Sequence, residues 1–95
     1  MIKLIQKNYT ADINDFYIGV DSTSAVTITL PTVGDGKQYV IKAEMKPPLL
    51  NRKITIVTED GSKIDGCSSY VLQVSYQAVW LLKRGEGWHI TSSFN

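Results

Sequence analysis

The segment Val26-Thr27-Ile28-Thr29-Leu30 alternates apolar and polar residues without a fault and stops at Pro31. That period of two belongs to a strand with one face in a core and the other in water. Weaker versions recur along the chain. Ile2 to Tyr9 alternates in part, Asp15 to Asp21 and Lys37 to Ala43 read as short strands, and Lys53 to Thr58 resumes the alternation. Tyr70 to Val74, Ala78 to Lys83 and Gly87 to Thr91 complete the series. Turn residues separate them: Asp21 to Ser24, which suggests a hairpin, Gly34-Asp35-Gly36, the Asp-Gly pairs at 60–61 and 65–66, and Arg84 to Gly87. About eight strands spaced roughly 8 to 12 residues apart predict an all-β fold. The expected architecture is one small antiparallel β-sandwich or barrel-like domain spanning 1–95.

Parity assigns the interior. Val26, Ile28, Leu30, Ile41, Ile54, Ile56, Val79, Leu81 and Ile90 should face inward, and a slip of one residue would put Thr and Lys in their place. Two segments depart from alternation. Val79 to Leu82 is apolar on both faces, so it should be a central strand or one lying under a partner chain. Glu44 to Arg52 cannot sit in a sheet, because two prolines remove ladder donors, yet it carries apolar residues. Met45, Pro47, Pro48, Leu49 and Leu50 are therefore expected to form an interface with another chain.

Composition agrees with the pattern. Val, Ile, Thr and the aromatics make up 35 of 95 residues against four Ala, which favours strands over helices. A net charge of +1 gives no electrostatic footprint for a phosphate backbone, so nucleic acid is not an expected partner. No apolar run approaches the roughly 20 residues of a membrane span. The first seven residues lack the apolar stretch of a secretory signal, so synthesis in the cytoplasm is expected. Cys67 stands alone, which leaves no intramolecular disulfide and no cysteine zinc cage. A chain this short has a marginal core, and that makes self-assembly a reasonable expectation.

Candidate chemistry is sparse. His89 is the sole histidine, and no nucleophile motif accompanies it or Cys67. Asp21, Asp35, Asp60 and Asp65 adjoin Gly or Ser, where turn chemistry accounts for them. The stretch Asp60 to Gly66 lacks the further acidic ligands of a calcium loop and has Lys63 in its middle. Gly34 to Lys37 lacks the spacing of a phosphate loop. Trp80 and Trp88 lie in consecutive strands and could become cross-strand neighbours, but without interleaved basic residues packing is the expected role. No catalytic residue, cofactor or metal is predicted, and the chain is read as no enzyme.

Six phrases in order carry a resemblance. They are Asp15-Phe16-Tyr17-Ile18-Gly19-Val20-Asp21, Ala25 to Pro31, Gly36 to Lys42, Ile54-Thr55-Ile56, Gly61 to Gly66 and Gly87-Trp88-His89-Ile90. Together they resemble a β-structured module of tailed-bacteriophage virion proteins, found in head fibres, decoration proteins and tail fibres. The family usually carries a polar Gly- and Asn-rich loop where this chain has Glu44 to Arg52. The resemblance implies a non-enzymatic virion structural protein that assembles as a homotrimer on capsid or tail proteins, and 95 residues without a shaft favour a capsid-decorating or head-fibre role. The alternative is a tail-fibre or tail-attached module that binds surface carbohydrate. The module's implied location is the virion.

Overall fold

The computed structural model describes residues 1–94, and among these residues there is no helix. Ten strands follow one another: β1 (Ile2–Ile5), β2 (Tyr9–Thr10), β3 (Tyr17–Val20), β4 (Val26–Leu30), β5 (Gln38–Ala43), β6 (Ile54–Thr58), β7 (Lys63–Ile64), β8 (Tyr70–Leu72), β9 (Ala78–Arg84) and β10 (Gly87–Phe94). They form a six-stranded sheet ordered β1-β3-β5-β9-β10-β7 and a four-stranded sheet ordered β2-β4-β6-β8.

From β1 to β8 every connection passes from one sheet to the other. Strands that are neighbours within a sheet therefore run the same way, β1, β3 and β5 in one and β2, β4 and β6 in the other. The first three turns are a coil. Ile2, Tyr17 and Val40 stand side by side across one wall, and Tyr9, Ile28 and Ile56 across the opposite wall. The chain pairs antiparallel only afterwards, with β8 on β6, β9 on β5 and β10 on β9.

This corrects the antiparallel expectation. The sheets are mixed and hold ten strands, because β2 and β7 are two residues each and too short to show any alternation. Asp21 to Ser24 is no hairpin but a corner between sheets, where the buried Ser22 hydroxyl donates to the Ser24 carbonyl at 2.8 Å. Asp60-Gly61 likewise leads from β6 into the other sheet. True two-residue hairpin turns occur at Gly85-Glu86, between β9 and β10, and at Asp65-Gly66. At the latter both φ angles are positive, 47° and 81°, and Ile64 and Cys67 exchange both backbone hydrogen bonds.

The core lies between the sheets. Of the nine positions assigned inward by parity, Val26, Ile28, Leu30, Ile41, Ile54, Ile56, Val79 and Leu81 are buried, and Ile90 packs half-buried against them. Tyr39 and Trp88 fill its wide end with ring centroids 5.7 Å apart. A monomeric protein of 10.6 kDa should expose about 5,500 Å², and this one exposes 5428 Å². The chain thus covers its own core to the ordinary extent, and small size alone gives no reason for a partner.

Candidate functional site

The corner between β5 and β6 holds the five residues expected at an interface, and the structure divides them. Met45 and Leu49 are buried and belong to the core of the protomer, while Pro47, Pro48 and Leu50 are exposed. The reason is the crossing from one sheet to the other, which leaves the end of the sandwich open; Met45 and Leu49 turn in and close it. The Arg52 guanidinium holds the corner in shape by donating to the carbonyls of Pro48 (2.7 Å), Lys46 (3.0 Å) and Ser22 (3.3 Å). The Ser75 hydroxyl donates to the Met45 carbonyl. Met45 and Leu49 are therefore unavailable to another chain.

The reactive side chains stay apart from any pocket of catalytic form. His89 Nδ1 lies 3.8 Å from Asp65 Oδ1, with both side chains about half exposed. Cys67 is exposed. Among the described residues no group of three or more His, Cys, Asp or Glu stands close enough to hold a metal ion. The Asp60 carboxylate is spent on its own turn, accepting from the Ser62 hydroxyl (2.7 Å) and amide (3.0 Å), which hold it below its ordinary pKa. Trp80 and Trp88 do not pair across strands. Trp88 points into the core opposite Lys83, and Trp80 points outward opposite Ser92.

The buried polar cluster around Asp15 is an anchor. The Asp15 carboxylate accepts from the Tyr9 hydroxyl and from the Asp12 amide at 2.9 Å, while Tyr39 donates to the Asp12 carbonyl at 2.8 Å. The Lys37 ammonium donates to the Asp15 carbonyl. Burial, and then the Asp15 carboxylate, push both phenols up to about 12. Phenols held so firmly protonated fasten the 11–16 loop over the core and offer no base near neutral pH.

The outer face of the six-stranded sheet is different. Strand register sets two rows of side chains on it, Ile2–Tyr17–Val40–Trp80 and Leu4–Gly19–Lys42–Ala78–Phe94. Ile2, Leu4 and Phe94 are each more than 60% exposed and Trp80 is 36% exposed. Val40 and Ala78 are buried although they lie outside the core cluster, so their outer-face neighbours cover them. Gly19 makes room here, because a Cβ would lie 2.8 Å from the Glu44 Cδ and 3.0 Å from Leu4 Cδ2, and those side-chain ends would have to move. The Glu44 side chain crosses that gap to accept a hydrogen bond from the Tyr17 hydroxyl. Burial first, and then Glu44, raise the Tyr17 phenol to about 12. A shallow hollow of about 220 Å³ opens beside it, lined by Leu4, Gln6, Asp21 and Glu44.

No family model matches the chain, and no curated protein matches it.

The signal for this face is present in the sequence at one place, the two-sided apolar run Val79 to Leu82. The first half of that reading applies, since β9 is central, between β5 and β10; its outward residue Trp80 is part of the exposed apolar face. Ile2, Leu4 and Phe94 give no such signal, because they join the face only through parallel pairing and a register shift in β10 between Ile90 and Ser92.

Proposed function

We propose that this chain is a non-enzymatic virion structural protein of a tailed bacteriophage, a capsid-decorating or head-fibre module that assembles as a homotrimer. The observation that carries the reading is where the six phrases fall. They occupy β3, β4, β5, β6, β7 with its flanking turns, and the start of β10, in chain order. What the chain shares with the phage modules is therefore scaffold: strand cores, and turns such as Gly61 and Gly66 at positive φ. The exposed apolar face on the six-stranded sheet supports an assembling role, since an architectural protein must present a surface to its neighbours. The hollow beside Gly19 is lined by Leu4, Ile5, Gln6, Gly19, Asp21 and Glu44, with no aromatic ring to stack on a sugar.

Mass spectrometry of purified particles, with an antibody against the chain to locate it by electron microscopy, tests the proposal. Labelling of the head in repeated positions is expected. Absence from washed particles would overturn the reading, and labelling of the tail tip would move the role to the tail-attached alternative.

A further inference from the structure

We infer that the outer face of the six-stranded sheet is where copies of this chain pack on one another. The inference deepens the assembly proposed above by assigning the surface, and it rests on that reading for the number of copies. The first argument is area. Ile2, Leu4, Trp80 and Phe94 leave on the order of 500 Å² of apolar surface in water, near the upper end for the largest patch on a monomer. Tyr17, Lys42 and Glu44 lie between them and Leu82 extends the face beyond Trp80, so that the whole approaches the roughly 800 Å² that each partner contributes to a stable interface. The second argument is charge. Around these two rows the charges are one cation and one anion, Lys42 and Glu44, two positions apart on the same strand run, with the Glu44 carboxylate lying over Gly19; Arg84 and Lys63 stand on the same sheet face only at its far end. An anionic membrane or a nucleic acid would find no complementary potential there. In a closed ring of copies the Glu44 of one meets the Lys42 of the next.

The β1 edge is one competing route to self-assembly. On β1 the residue with the core-facing parity next to Ile5 is Lys3, level with Ile18 and Ile41. Its ammonium sits over the Tyr9 ring, 5.5 Å from the centroid. A charge with that parity on an edge strand opposes edge-to-edge addition there.

Sedimentation velocity on the whole chain, with tryptophan emission recorded over the same concentration series, tests the assignment. The wild-type chain should sediment at about three times 10.6 kDa at micromolar concentration, with the emission shifting to the blue as Trp80 leaves water. Ile2→Lys with Leu4→Lys should raise the apparent dissociation constant at least about tenfold with the melting temperature of the dilute chain unchanged, since both side chains are already exposed. Phe94→Lys, at the far side of the same face, should do the same, and Thr29→Lys on the other sheet should not. A wild-type monomer at about 100 µM, or association that survives both face variants, overturns the assignment. Detection in particles is independent of these results: a virion-located monomer would sink the face and the homotrimer and leave the virion role standing, whereas association through the face by a chain absent from particles would do the reverse.

Discussion

Leu49 and Leu50 are adjacent in sequence and opposite in fate, which makes them a sharp test of how the corner after β5 is built. Leu49 is 4% exposed inside the core cluster and Leu50 is 82% exposed. Leu49→Ala removes three buried carbons, about 0.8 kcal/mol each, and adds a term for the cavity left behind. Corner loops can partly close such a gap, so about 2 to 3 kcal/mol is expected, from the low end of the range for buried Leu to Ala changes. For a domain of this size that corresponds to a fall in melting temperature of roughly 10 to 20 °C. Leu50→Ala should change stability by less than about 0.5 kcal/mol. Thermal unfolding followed by circular dichroism reads both, at two protein concentrations so that association does not enter the comparison. If Leu50→Ala lowers the melting temperature and Leu49→Ala leaves it alone, the corner faces another chain instead of the protomer core.

Three further outcomes follow from the same structure. Ile28→Ala should cost about 2 to 5 kcal/mol and Thr29→Ala far less, read from urea midpoints, because Ile28 is fully buried between β2 and β6 and Thr29 is on the half-wet face. Arg52→Lys should destabilise by about 1 to 2 kcal/mol despite keeping the charge, since an ammonium cannot reach the Pro48, Lys46 and Ser22 carbonyls together; equal stability of the two proteins would refute the stitching role. Stability should hold up to about pH 10 and fall between there and pH 12. The folded state keeps Tyr9, Tyr17 and Tyr39 protonated to about 12, whereas the unfolded chain releases those protons near 10. A urea midpoint that stays flat across this interval would show that these phenols titrate alike in both states.

Strand existence and inward parity were legible because each depends on neighbours two residues apart. Val26 to Leu30 and Ile54 to Thr58 show it on their own. Strand direction was not legible, because an antiparallel ribbon and a coil that alternates between two walls produce the same spacing of short strands and turns. The coil also hides from a search for repeats: Ile2, Tyr17 and Val40 hold equivalent places, yet lie 15 and 23 residues apart because the corners differ in length. The corner at 44–52 misled for a related reason. Proline correctly excluded it from the sheets, but sequence does not reveal that a crossing segment has a core end to plug, so Met45 and Leu49 looked like surplus apolar surface.

A coil of parallel strands has no built-in last turn. Each wall of this one ends at the same place, in the unpaired edges of β1 and β2, and an incoming chain able to lay down two more strands would create a fresh pair of edges identical in kind. Growth by that route would be linear and unlimited, the arithmetic of a fibril. Lys3 interrupts it, since a further turn would have to bury an ammonium where Ile18 and Ile41 stand in the turns behind. That side chain thus opposes a self-templating filament at the β1 edge, and Lys3→Ile should favour thioflavin-positive fibres from otherwise folded protein.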